Sequence, residues 1–297
     1  MYIDEVDSAL NDRATNTPLA KDNSMAHTPN PSHEAARVEV AAAQAVPIPA
    51  QEMPAIGVRD IGEVRILTLQ HPERLNALDV KDRTQLLAAL REAKAEPRAV
   101  VLTGAGRIFC AGGELRSMVT EPAAARARLE LLNDVIRELA LGPTPVVCAI
   151  EGGAFGIGLS LACASDIIIA SRDSRYSASF VKIGLISDAG LSWTLPRRIG
   201  SSRARVLLLT ARTVEAEEAE RIGLVDELVE PGAALSRAIE VAAGLANLTA
   251  TVSGSVRQLM GRTPGTLDEA LQEETDLQIA RLADPLFSER RARFLAR

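Results

Sequence analysis

Two glycine-rich stretches offer the chemistry most readily read from residue type and spacing: 104–115 (GAGRIFCAGGEL) and 152–161 (GGAFGIGLSL). Each follows a β-rich apolar run, RAVVLT at 98–103 and PVVCAI at 145–150. Glycine after a strand lets backbone N–H groups approach a ligand oxygen closely, and a helix starting there adds the positive end of its dipole. Neither stretch has the G-x-G-x-x-G spacing of a dinucleotide site, and neither ends in the Gly-Lys-Ser/Thr of a phosphate loop. Ser160 lacks a G-x-S-x-G elbow and a well-placed histidine, which removes a serine nucleophile. An oxyanion hole remains, in which two backbone N–H groups from separate turns converge on a carbonyl oxygen that gains charge. The plain reading beside it is that these glycines permit tight turns and close helix packing.

Other reactive side chains are few. His27 and His33 lie in a polar N-terminal stretch, and His71 precedes Pro72. Histidine therefore supplies at most one general base, and no metal cluster is expected. Cys110, Cys148 and Cys163 sit in or beside apolar segments without a C-x-x-C pair. They read as inert core thiols of a reducing compartment, so a cytoplasmic location is expected.

The elements that must position these groups occupy the later part of the 297 residues. Residues 1–55 are rich in Ser, Asn, Pro and Ala without a helical or strand period, and read as a disordered extension. Residues 56–200 read as an α/β core and 201–297 as a helical region. Strands are expected at 56–59, 63–69 (EVRILTL), 98–103, 145–150 and 166–170, with a turn at 60–62 closing the first pair. Helices are expected at 79–95, with Val80, Leu87 and Leu90 on one face, at 121–141 and at 156–164. The repeated β-helix-β spacing predicts buried parallel strands. Further helices are expected at 214–222, 235–248 and 266–283, and a short strand at 224–229. The formal charge of −6 and 3% aromatic content argue against nucleic-acid binding. No apolar run reaches the roughly 18 residues of a membrane span.

Four segments in order, HPERLNALD (71–79), VVLTGAGRIFCAGGEL (100–115), AIEGGAFGIGLSLACASDI (149–167) and FVKIGLISDAGLSWTLPRRIG (180–200), resemble the crotonase (enoyl-CoA hydratase/isomerase) superfamily. The likeness continues through 210–229 to the C-terminal segment 269–295. It implies a spiral of ββα repeats with a helical C-terminal region that packs trimers, as a homotrimer or a dimer of trimers. It also implies an acyl-CoA thioester substrate, with no metal and no redox cofactor. By position, the oxyanion N–H groups belong to Gly113 and Ile157, the latter bulkier than the usual Gly or Ala. Arg74, Leu75 and Ala77 of the first segment, with Ala111, Gly112 and Leu115 of the second, match the coenzyme A and substrate contacts. Arg74 can equally be a solvated turn cation.

The two glutamates of the usual hydratase route are replaced by Ser160 and Phe180, neither of which can act as a base. Asp188 falls where the branch resembling the epoxyphenylacetyl-CoA isomerases carries an acid/base aspartate, although Ser187 and Leu191 replace that branch's common Pro and Gly. Leu185, Ile186 and Leu191 are expected to desolvate the carboxyl and raise its pKa. Asp188 before Ala-Gly-Leu-Ser-Trp is also a good helix N-cap. Glu114 is expected to fix its turn, Asp166 to tie a helix end, and Glu151 to reach solvent or a neighbouring subunit. Trp193 and Tyr176 read as packing or pocket wall, and Phe287 and Phe294 as a core stripe with a solvated cationic face. The residues thus support a double-bond isomerase working through Asp188. A hydratase using another base and a weakly catalytic acyl-CoA-binding subunit stand beside it.

Overall fold

A computed structural model describes residues 54–93, 99–246, 248, 250–261 and 265–296. Apart from its last two residues, the extension expected at 1–55 lies outside this range. Strands β1 (Ile56–Ile61) and β2 (Val64–Leu69) form an antiparallel hairpin. The turn falls later than expected because Asp60 stays in the ladder opposite Arg65, whose guanidinium also pairs with its carboxylate at 3.0 Å. Helix α1 (Val80–Glu92) begins at a reciprocal capping box between Asp79 and Asp82. Its buried face carries Leu86, Leu87, Ala89 and Leu90, whereas Val80, expected on that face, is exposed on the first turn.

β3 (Ala99–Gly104), α2 (Pro122–Leu141), β4 (Val146–Ile150), β5 (Gly153–Phe155), α3 (Ile157–Ala164), β6 (Ile167–Ser171) and β7 (Arg175–Ser177) follow in order. α4 (Leu191–Ile199), α5 (Ser201–Thr210), β8 (Val214–Glu215), α6 (Ala216–Arg221) and β9 (Glu227–Val229) come next. The large sheet has the order β1-β2-β3-β4-β6-β9 and is parallel beyond its first pair. Its central strands are buried on both faces, which explains their unbroken apolar runs. Val64, Ile66, Val101, Val147 and Ile169 pack beneath Ala234, Ala238 and Ala242 of α7 (Ala234–Ala246). On the opposite face, Leu67, Leu102, Cys148 and Ile168 join the core with Leu86, Leu90, Leu132 and Leu139.

A smaller sheet, β5-β7-β8, lies one step further along the chain in each repeat. β4 leads through β5 to α3, and β6 through β7 to a 3-10 turn at Ser179–Ile183 and then α4. A parallel bridge between Cys110 and Ala154 joins the segment after β3 to the same layer. The helix expected at 214–222 is split, because Val214 pairs with Tyr176 as β8 before α6 begins. The strand expected at 224–229 is confined to β9, with Leu224 and Val225 buried in the preceding turn.

The chain continues in helices α8 (Ala250–Gly261), α9 (Leu267–Leu282) and α10 (Pro285–Leu295). No residue of α9 or α10 is buried, so Phe287 and Phe294 form no core stripe. Leu267, Phe294 and Leu295 are each more than 70% exposed. No described helix is long and apolar enough to cross a membrane.

Helix α3 seats itself through Gly158, where a methyl group would stand 2.4 Å from the Cys110 carbonyl oxygen. Backbone meets backbone there, so nothing flexible can yield. Gly158→Ala is expected to cost about 1–3 kcal/mol as overpacking, read as a lower urea midpoint with unchanged m-value. An unchanged midpoint would show that the two segments separate freely.

Candidate active site

The site begins at the turn before α1. After His71, a 3-10 turn at Pro72–Arg74 leads into Leu75 and Asn76, whose φ values of 54° and 56° are left-handed. Asn76 is buried at 1% exposure and ties the turn down. Its side-chain amide donates to the carbonyls of Ala105 and Ile108, both at 2.8 Å, while its oxygen accepts from His71 N–H at 3.0 Å. The next residues run beside the 111–114 end of the first glycine-rich stretch. Ala111 N–H donates to Leu75 O at 2.9 Å, Leu78 N–H to Gly112 O at 2.8 Å, and Glu114 N–H to Leu78 O at 3.1 Å.

Gly112, with φ of 119°, meets the start of α3. A methyl group on it would stand 3.1 Å from Phe155 O and 3.6 Å from Ile157 N. One on Gly113 would stand 3.0 Å from Cδ1 of Ile157, so the isoleucine side chain narrows the space beside that turn. Gly156, at φ 51°, precedes α3 without a capping side chain. Among the described residues, neither Gly113 N–H nor Ile157 N–H donates a hydrogen bond. The two glycine stretches therefore converge and bring two unused donors together, one at a helix N-terminus.

Of the other expected contacts, Leu75 and Ala111 adjoin through their hydrogen bond. Ala77 closes the first turn through Arg74 O at 3.1 Å, and Leu115 opens a 3-10 turn at the edge, 36% exposed. Arg74 is not a solvated cation: it pairs with Asp79 at 3.1 Å and Asp82 at 2.7 Å.

Asp188 stands beside the first turn of α3, where the Ser160 hydroxyl lies 3.3 Å from its carbonyl oxygen. It does not cap α4. Ala189 and Gly190 are both left-handed, at φ 49° and 67°, and Gly190 takes the cap position without a side-chain bond. The Asp188 carboxyl is thereby freed, and its Oδ1 is buried without a partner among the described residues. Burial pushes its pKa up, while the nearby guanidiniums of Arg83 and Arg128 pull the other way. Leu191 is fully buried, but Ile186 is 84% exposed and Leu185 43%, so those two do not provide the expected cover.

Ser160 is buried, 3.4 Å from Gly156 O, and no base faces its hydroxyl among the described residues. The Phe180 ring approaches Gly156, with Cζ 3.9 Å from where a methyl would stand. Burial pushes the thiols of Cys110 and Cys163 up to about 12, and Cys148 higher still. Among the described residues no cluster of His, Cys, Asp and Glu could hold a metal.

Glu114 accepts from Arg116 N–H at 2.9 Å and fixes its turn. Asp166 accepts from Val146 N–H and from Arg257. Glu151 instead caps α7, accepting from Gly232 N–H at 3.1 Å and Ala234 N–H at 3.0 Å. Trp193 lies under the Arg197 guanidinium, and buried Tyr176 bonds to Ser174 at 2.8 Å.

Residues 61–293 match a family model described as "Enoyl-CoA hydratase/isomerase". The chain belongs to this family. Enoyl-CoA hydratase/isomerase family enzymes act on acyl-CoA thioesters. A "1,2-epoxyphenylacetyl-CoA isomerase" of Escherichia coli is 36% identical over 223 residues, covering 72% of this chain and 85% of that protein. A "Probable enoyl-CoA hydratase" of Rhodobacter capsulatus is 41% identical over 165 residues, covering 55% of this chain and 64% of its own length. The crystal structure of an enoyl-CoA hydratase from Polaromonas sp. JS666 superposes with a TM-score of 0.78 at 33% identity, covering 81% of this chain and 96% of that one. The fold is thus the crotonase spiral with C-terminal helices.

Because burial raises the Asp188 pKa, the ionised carboxylate is disfavoured in the folded chain. The stability it permits is full below the unfolded value of about 4 and is lost as pH rises through the folded value. Asp188→Asn, which never ionises, is expected to exceed wild type in stability at pH 7, the gap closing toward pH 4. Urea titrations of both proteins across that range read it. A variant less stable at pH 7 would restore a capping or ion-pairing role.

Proposed function

We propose that this enzyme moves a double bond along an acyl-CoA thioester, with Asp188 as the proton shuttle. The carrying observation is the Asp188 carboxyl, whose Oδ1 is buried without a partner among the described residues and whose backbone adjoins Ser160 on the helix that Ile157 opens. In this reading Gly113 and Ile157 N–H groups hold the thioester oxygen. The Asp188 carboxylate removes a proton at the α- or γ-carbon, and the electron pair of that C–H bond passes into an enolate whose oxygen charge the donors stabilise. Asp188 then returns the proton at the other end of the conjugated system. The step is redox-neutral and uses one carboxyl, which suits a site whose other two expected acid positions are Ser160 and Phe180.

Arg74, Leu75, Ala77, Ala111, Gly112 and Leu115 are placed along the coenzyme A path in this proposal. Arg74 is steadied there by Asp79 and Asp82. The relative named as an isomerase supports the reading. Relatives named as hydratases favour a second one, in which another base activates water for addition to the double bond. The assembly we propose is a homotrimer or dimer of trimers covering the exposed apolar residues of α9 and α10, a state that sedimentation velocity reads directly.

Asp188→Asn should lower turnover about a hundredfold or more, the usual worth of a positioned acid/base. Acyl-CoA binding should be retained. Conversion of 3-enoyl- to 2-enoyl-CoA, together with α-proton exchange in deuterated water, measures the loss. Full isomerisation by the variant would end the mechanism. Water addition without double-bond movement in wild type would favour the hydratase, and binding without turnover would indicate an acyl-CoA-binding subunit.

A further inference from the structure

Arg83, on α1, is 2% exposed. Its Nη1 donates to Arg128 O at 3.1 Å and its Nη2 reaches Leu78 O at 3.4 Å. Nε is buried and has no partner. No carboxylate lies within ion-pairing distance of it among the described residues. Arg128, 8% exposed, likewise spends its guanidinium on the carbonyls of Ser117 and Glu114 and on the Ser117 hydroxyl. Buried cations held only by neutral oxygens are costly, since burial without a counter-charge forfeits several kcal/mol of hydration. Desolvation accordingly lowers the Arg83 pKa to about 10, and the neighbouring Arg128 adds to that effect.

The neighbouring carboxylates are otherwise placed. Asp79 pairs with Arg74 and accepts from Asp82 N–H, while Glu114 accepts from Arg116 N–H. Asp188 acts on both guanidiniums only across a gap, and its burial favours the neutral form. Nε and Nη2 share one edge of the guanidinium, the edge whose parallel N–H groups match the two oxygens of a carboxylate. Nη2 also stands 3.6 Å from the point where a Gly113 side chain would begin. The edge that carries the unpaired Nε therefore adjoins one of the two free backbone donors, and its Nη2 keeps a second N–H beyond the long bond to Leu78 O.

We propose that Arg83 is a specificity-determining residue that takes the free carboxylate of a short acidic acyl group on the coenzyme A thioester. The acyl group must be short because the guanidinium adjoins Gly113 itself. An anion fits better than a neutral oxygen, because two buried guanidiniums lie there without an ion-pair partner among the described residues. The inference rests on the acyl-CoA reading above but not on proton transfer by Asp188.

Calorimetric titration with succinyl-CoA and butyryl-CoA tests it, since these thioesters have equal chain length and differ by the terminal carboxylate. Wild type is expected to bind succinyl-CoA about tenfold or more tightly, the order of a charge-assisted bidentate pair. Arg83→Met should abolish the preference by weakening succinyl-CoA alone, and Arg83→Lys, which keeps the charge without the edge, should retain part of it. Equal affinities in wild type would overturn the proposal without recourse to any variant. A preference that survives in Arg83→Met would overturn the assignment to Arg83. Binding of neither thioester would instead sink the acyl-CoA reading on which the proposal stands.

Discussion

The site depends on the close approach of two backbone turns. Gly112 faces the carbonyl of Phe155 and the amide of Ile157, where a methyl group would stand 3.1 Å from that carbonyl oxygen at a φ of 119° that L side chains rarely adopt. That approach leaves Gly113 and Ile157 close together, with both N–H groups bonded to nothing among the described residues. An unmade hydrogen bond at a shielded donor costs about 1–3 kcal/mol, so the surrounding structure must hold the turns in place. It does so on three sides. Gly158 packs α3 on Cys110, the Leu78–Gly113 and Cys110–Ala154 bridges fix the register, and Asn76 knots the first turn to the segment at 105–108.

Asp188 shows the same division between fold and chemistry. Its backbone is held by Leu191 N–H at 3.1 Å and adjoins the Ser160 hydroxyl, while its carboxyl is left without a bond at Oδ1. Two successive left-handed residues make this possible, since they hand the cap of α4 to Gly190. A carboxyl whose backbone is fixed and one of whose oxygens is unpaired can exchange protons without unravelling its surroundings. Ser160 and Phe180 then serve the same region as packing and as an apolar wall.

The strands of the large sheet and the helices between them were legible in the sequence because apolar runs, caps and glycine spacing are local signals, whereas β5, β7 and β8, three residues or shorter, carry no such signal and were not expected. Gly113 and Ile157 were legible as a pair only through the resemblance that aligns the two turns. Other features depend on contacts between distant segments. Glu151 caps α7 through residues 81 and 83 positions later, which no local pattern announces. The choice between cap and free carboxyl at Asp188 hinged on the φ of Ala189, an unusual left-handed alanine. Arg83 left one faint trace, a cation three residues before Leu86 on the apolar side of α1. Phe287 and Phe294 have a helical spacing, but α10 buries no residue in this chain.

The central claim is that the Gly113 and Ile157 N–H groups receive the thioester carbonyl. Isotope-edited infrared spectroscopy of a carbonyl-13C acyl-CoA bound to Asp188→Asn tests it most directly, because turnover is then slow while both donors remain. Two hydrogen bonds from shielded amides polarise the C=O bond and weaken it. The carbonyl stretch of the bound thioester is then expected at lower frequency than in free thioester. A bound thioester whose carbonyl frequency equals that in water, or lies above it, would contradict the account.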